Sequence, residues 1–263
     1  MMPATVTTPR RRRTPSRKGQ LQQLGPFDIP HVGSRLVRLY LPPGYHEKTD
    51  LHPLLVMWDG QNVYDDGPSF AGGWHLHEAL DRRAARRKQV PVVAAIDHGG
   101  GLRIRELAPY YTNGEPLLDP LLDWVTRNLL KLLHDTYRLK REPEFTYVGG
   151  SSLGGLASLY AHFRHPQAFG GCMAMSPSLF LGRGSIFRFV ESQPKPWRTK
   201  VYVDGGGNEM RGTLLRMGDQ LAGILRAKGY NDQELMWRPV KRGAHNERHW
   251  RARLPKALRF LYG

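Results

Sequence analysis

Continuous apolar runs alternate along this chain with stretches in which apolar residues return every third or fourth position. Residues 35–45, RLVRLYLPPGY, alternate apolar and polar and then reach a Pro-Pro-Gly turn, which predicts a strand. Residues 53–59 (PLLVMWD) and 90–97 (VPVVAAID) are unbroken apolar runs, the mark of strands covered on both faces. Between them, 72–88 has helical spacing with a basic outer face. A glycine-rich loop follows, and 116–139 then predicts a long amphipathic helix broken near Pro120. The alternation continues with strand 144–149, helix 153–164 and strand 170–176. After an irregular stretch come strand 200–206, helix 213–229, strand 234–240 and a closing helix near 250–262. Buried strands alternating with helices predict an α/β fold, a mostly parallel central sheet with helices on both faces. Its functional site should lie at the carboxyl ends of the strands.

Composition narrows this picture. With 263 residues, 40% of them apolar and six tryptophans, the chain can bury a full core, and one domain over 25–263 is expected. Residues 1–24 read as a basic, disordered arm, and they lack the apolar segment of a secretion signal. No run approaches the ~20 apolar residues of a membrane span. The single cysteine, Cys172, excludes an internal disulfide, which fits a reducing, cytoplasmic setting. The net charge of +16 is concentrated at the ends. Six basic residues precede the first acid, Asp28, and residues 238–263 hold eight basic residues against one glutamate. Such charge draws anionic partners. No nucleic-acid-binding signature accompanies the arm, however, so it reads as solubilising.

The chemistry concentrates at FTYVGGSSLGGLASLYAHF, residues 145–163. Gly150-Ser151-Ser152-Leu153-Gly154 matches G-x-S-x-G between a predicted strand and a predicted helix, the setting of a nucleophile elbow. Ser152 has glycine two residues before and two after; Ser151 has Leu153 after it. Ser152 is therefore the expected nucleophile, and the N–H of Leu153 an expected oxyanion donor. A serine needs a base, and in this fold the order is Ser, acid, His. His245, in the loop after the last strand, is expected to be that base, with His249 nearer the helix packing or facing solvent. Glu209, on the loop beyond strand 200–206, leads as the acid; Asp204, at that strand's end, is the alternative. The second donor is expected from the loop after the 53–59 strand, at the N–H of Gln61. Trp58, Tyr64, Phe70, Trp74 and Phe180 are candidate linings for an aromatic acyl group, with burial in the core the favoured alternative for several of them. Arg103, Arg105 and Arg183 are candidate partners for an anionic one. No metal-ligand spacing occurs, so no metal or organic cofactor is expected.

Taken together, YLPPGY, MWDGQNVYDD, IDHGGGLRIRELAP, GGSSLGG, MSPSLF, GGGNE and GAHNERHW resemble an esterase family of the α/β-hydrolase fold. That family includes enterochelin esterases, esterase D-like enzymes, feruloyl esterase domains and mycolyltransferases. The resemblance covers about residues 33–262. It implies a Ser152–His245–Glu209 triad, oxyanion donors at Gln61 and Leu153, and a scaffolding R-x-x-E pair, Arg103 and Glu106. Leu107 stands where the family often has tyrosine, and His98 where it more often has asparagine. The implied activity is hydrolysis of a small-molecule carboxylic ester, with an aromatic, phenolic or siderophore-type acyl group as the expected substrate class. Two alternatives stand beside it: acyl transfer by the same residues, or a non-catalytic scaffold binding nucleic acid or anionic surfaces through the arm. A homo-oligomer is compatible with either.

Overall fold

The computed structural model describes residues 18–67, 71–110 and 114–263. Eight strands form one sheet: β1 (Gln20–Ile29), β2 (Gly33–Leu41), β3 (Leu54–Trp58), β4 (Val92–Ile96), β5 (Thr146–Ser151), β6 (Gly171–Met175), β7 (Lys200–Gly206) and β8 (Leu235–Val240). Their spatial order is β1-β2-β4-β3-β5-β6-β7-β8. β2 runs antiparallel to both β1 and β4, and the other pairings are parallel. All five residues of β3, β4 and β6 are buried, as their unbroken apolar sequences require.

Nine α-helices are described: α1 (Gly60–Val63), α2 (Leu76–Ala85), α3 (Arg103–Leu107), α4 (Leu118–Trp124), α5 (Leu130–Thr136), α6 (Leu153–Arg164), α7 (Ser185–Ser192), α8 (Thr213–Ala227) and α9 (Glu247–Tyr262). Leu76 and Leu80 of α2 and Trp250, Leu254, Leu258 and Leu261 of α9 pack on one sheet face, with Leu55, Met57, Val93 and Met173. Residues of α4 to α8 cover the other, over Leu54, Val56, Val92 and Cys172. Burying a side chain of this size contributes about 1.5–3 kcal/mol, so these two layers dominate the fold's stability.

Three expectations need correction. Residues 20–24, assigned to the arm, are part of β1, which pairs with β2 from Gln20↔Leu41 onward. β1 is an edge strand whose residues are mostly exposed, so it carries no apolar rhythm to read. Pro120 does not break its helix. It is the third residue of α4, where the missing N–H has no intrahelical partner to lose. The irregularity comes later, as a π-turn at Val125–Leu129 joining α4 to α5. The stretch read as irregular holds α7, which buries Ile186, Phe187 and Val190.

Candidate active site

β5 ends at Ser151 and α6 begins at Leu153, so Ser152 alone makes the turn. Its φ of 56° and ψ of −118° are strained for a residue with a Cβ, at on the order of 1–3 kcal/mol. Backbone bonds impose this pose. Ser152 N–H donates to Met175 O at 3.0 Å, and Ser152 O accepts from Ser178 N–H at 3.0 Å and Leu156 N–H at 3.1 Å. The flanking glycines give the room. A Cβ on Gly150 would lie 2.8 Å from the carbonyl carbon of Gly154, and one on Gly154 3.2 Å from Asp59 Oδ2 and Trp58 Cβ.

The Ser152 hydroxyl makes no helix-capping bond. It lies 2.8 Å from His245 Nε2, and His245 Nδ1 lies 3.1 Å from Glu209 Oε2. His245 immediately precedes Asn246, whose side chain accepts from His249 N–H and caps α9. The cap sets where the imidazole leaves the chain. The Trp250 ring meets that imidazole edge-on, 5.0 Å between centroids. Gly206 lets the Glu209 loop and the His245 loop touch: a Cβ there would sit 2.4 Å from both Gly243 O and Glu209 Oε1. His245 is 38% exposed and Glu209 fully buried, so the chain of bonds runs from the surface into the core.

Glu209 and Asp204 sit in different environments. Burial alone would raise the Glu209 carboxyl. Hydrogen bonds from His245 and Ser176, with the Arg253 charge, outweigh it and hold Glu209 below the ordinary glutamate value. Burial pushes Asp204 up, beyond what Arg253, Tyr202 and the Ser176 N–H restore. Asp204 bonds to Arg253, Tyr202 and Ser176, and His245 is not among its partners.

On the far side of Ser152, Asp59 begins α1 in the left-handed conformation, φ 58°. Arg103 grips its carboxylate with two bonds of 2.5 and 2.8 Å. The Gln61 side chain pairs with the His98 backbone in both directions, at 3.1 and 3.2 Å. Gln61 and Leu153 thus stand at the amino ends of α1 and α6, where N–H groups lack intrahelical partners. His98 Nδ1 accepts from Gly100 N–H at 3.0 Å, the same two-residue turn an asparagine oxygen would close. Glu106 is buried, bonded to Arg35 and to Gly99 N–H. Leu107 is core.

The expected linings divide. Trp58, Tyr64 and Trp74 are 2–3% exposed core residues, so Trp74 is withdrawn as a substrate contact; its ring packs on Trp250. Arg103 is committed to Asp59 rather than free for a substrate. Phe180 is 39% exposed, and Phe70 lies outside the described residues. Sequence reasoning passed over four residues around the site. Ser178 Oγ is 3.3 Å from Ser152 Oγ, Ser176 and Arg253 donate to Glu209, and Trp250 Nε1 donates to Ser176 Oγ. The MSPSLF and HNERHW segments were visible, but their roles depend on tertiary placement.

Residues 33–261 match the family model described as "Putative esterase". The chain belongs to this esterase family. Membership makes it a carboxylic ester hydrolase acting on a small-molecule substrate. Among relatives, it is 24% identical over 246 residues to "Uncharacterized protein YbbA" of Bacillus subtilis (strain 168), covering 88% of this chain and 94% of that protein. It is 33% identical over 141 residues to the "Iron(III) enterobactin esterase" of Dickeya dadantii (strain 3937), 52% of this chain but 28% of that enzyme. A ferulic acid esterase structure superposes with a TM-score of 0.73 at 16% identity, covering 93% of this esterase and 98% of the other, which establishes the α/β-hydrolase fold. No helix among the described residues is long and apolar enough to cross a membrane.

Proposed function

We propose that this esterase works through an acyl-enzyme on Ser152, with His245 as general base and acid and Glu209 as the carboxylate that orients it. The observation carrying this reading is the bond sequence Ser152 Oγ–His245 Nε2 at 2.8 Å and His245 Nδ1–Glu209 Oε2 at 3.1 Å. Ser152 Oγ attacks the ester carbonyl while its proton passes to His245 Nε2. Charge develops on the carbonyl oxygen, and the N–H groups of Gln61 and Leu153 receive it, each such donor being worth ~10²–10³ in turnover. The intermediate collapses, the leaving alkoxide takes the proton from the imidazolium, and the acyl group stays on Ser152. Water, deprotonated by His245, then attacks the acyl-enzyme and frees the acid. Glu209 keeps its charge throughout and stabilises the imidazolium.

For the acyl group, an aromatic or phenolic acid, or a siderophore-type ester, is our reading. The names of the Dickeya relative and of the ferulic acid esterase support it, as does the exposed Phe180 ring, two residues beyond Ser178. Short-chain nitrophenyl esters, feruloyl esters and a catecholate trilactone, assayed on wild type and Ser152→Ala, test the proposal. Hydrolysis by wild type with a loss of ~10³ or more in the variant is expected. Equal rates would reject Ser152. A preference for plain aliphatic acyl groups would reject the substrate class alone.

A further inference from the structure

Behind Glu209 lies a buried network that the three-residue mechanism does not use. Arg253, from α9, is 3% exposed at its side chain, and the carboxylates of Asp204 and Glu209 are fully buried. Its fork spans both acids: Nη1 donates to Asp204 Oδ1 at 2.6 Å and Nη2 to Glu209 Oε1 at 3.0 Å. The remaining donors go to Ser176 Oγ at 3.0 Å, Ala244 O at 3.1 Å and, from Nε, His249 O at 3.1 Å. Ser176 holds a left-handed backbone, φ 42°, and is fully buried. Its hydroxyl touches Arg253, Trp250 Nε1 at 3.2 Å and Glu209 Oε1 at 2.8 Å.

Counting donors fixes the hydrogens around Ser176. Arginine and tryptophan nitrogens only donate, so both acceptor positions of Ser176 Oγ are filled. Its single hydrogen must go to Glu209 Oε1, which thus accepts two donors and carries no proton. With Oε1 so occupied, and Glu209 held ionised by these bonds and the Arg253 charge, Oε2 accepts from His245 Nδ1–H. That tautomer leaves Nε2 bare toward Ser152 Oγ.

We propose that Arg253 is a positioning residue for this esterase: anchored by Asp204 and acting with Ser176, it fixes Glu209 as the charged, correctly turned partner of His245. The inference rests on the Ser152–His245–Glu209 reading above. Asp204, weighed as an alternative acid, becomes the anchor of the cation. Two observations support this assignment. The same helix supplies Trp250 against the His245 ring and Arg253 against Glu209, so α9 registers both at once. Arg253 lowers both carboxyls against the burial that raises them, and at Glu209 its charge adds to the bonds from His245 and Ser176 so that the lowering prevails. The other groups facing the cluster are Tyr202, 2.9 Å from Asp204 Oδ2, and Arg238 of β8, which faces the Tyr202 hydroxyl.

Removing a cation from beside the Glu209–His245 pair makes protonation of that pair easier, whichever member takes the proton. Two readouts follow: the acid limb of kcat/KM for nitrophenyl acetate, and the NMR titration of the His245 ring in a Ser152→Ala background. Arg253→Met should move both upward by roughly 1–3 pH units. It should also lower kcat by about 10²-fold through a misplaced imidazole, with KM within about threefold of wild type. Arg253→Lys should return both titrations toward wild type while kcat recovers only in part, since an ammonium lacks the fork that spans two carboxylates. If the methionine variant does not fold, Ser176→Ala removes one donor from Glu209 and should move the titrations the same way by a smaller amount. Titrations unmoved in these variants, or a lysine variant that titrates like the methionine one, would overturn the proposal. Hydrolysis surviving Ser152→Ala would instead overturn the triad, and the ring titration would still report on Arg253.

Discussion

Replacing Ser152 with glycine and with alanine removes the proposed nucleophile and gives two proteins whose stabilities should fall in an unusual order. Both lose the hydroxyl and its contacts with His245 and Ser178, so those terms cancel. What differs is the Cβ at φ 56° and ψ −118°. A residue with a Cβ is strained there by about 1–3 kcal/mol, and glycine relieves it. Glycine also has more freedom to lose on folding, which ordinarily makes it worse than alanine by about 0.5–1 kcal/mol. The difference leaves Ser152→Gly more stable than Ser152→Ala by roughly 1 kcal/mol. At this chain length that is about 2–4 °C in Tm. Urea unfolding followed by tryptophan fluorescence measures it, with calorimetry as a check. Gly223 of α8 supplies the control, since a Cβ there meets nothing within 4 Å. Gly223→Ala should show the ordinary order, alanine ahead by about 0.5–1 kcal/mol. If position 152 also favours alanine by that ordinary amount, the elbow stores no strain and the reasoning fails.

Other consequences follow from the same geometry. Gly150→Ala puts a methyl 2.8 Å from the Gly154 backbone. It should cost about 1–3 kcal/mol in urea unfolding and about 10²-fold in kcat, as β5 and α6 are forced apart; unchanged activity would contradict the close approach. Glu209→Gln should lower kcat by up to ~10⁴ while Asp204→Asn lowers it far less, measured on one nitrophenyl ester; the reverse order would reassign the acid. His162 is fully buried between Phe169 O and Thr199, and burial lowers its pKa from 6.5 to about 4. A base whose folded pKa is depressed stabilises fully above pH 6.5 and loses that contribution as pH falls toward 4. The loss should approach about 3 kcal/mol in urea titrations, and His162→Gln should flatten the slope across that window.

The fold was legible where burial is dictated locally. β3, β4 and β6 are covered on both faces, so their apolar runs needed no tertiary information, whereas β1 is an exposed edge and left no pattern. The residues of the proposed site were placed by similar local signals. Ser152 is marked by glycines whose spacing reflects the close approach of Gly150 and Gly154. The histidine and the acid follow from chain order and loop position. Arg253 was hidden because it is one of eight basic residues in 238–263 with nothing local to set it apart, yet it turns inward to two carboxylates from β7 and the loop beyond it. Trp74 erred the other way: an aromatic in a loop suggested a ligand contact, and packing against Trp250 buried it instead.

The central claim is that the hydroxyl of Ser152 attacks the ester carbonyl with His245 as its base. Mass spectrometry of the intact protein quenched early in nitrophenyl acetate turnover, followed by peptide mapping, tests this directly. One acetyl group on Ser152, absent in Ser152→Ala and strongly slowed in His245→Ala, is the predicted result. Turnover in which the label sits on another residue, or is unaffected by either substitution, would contradict it.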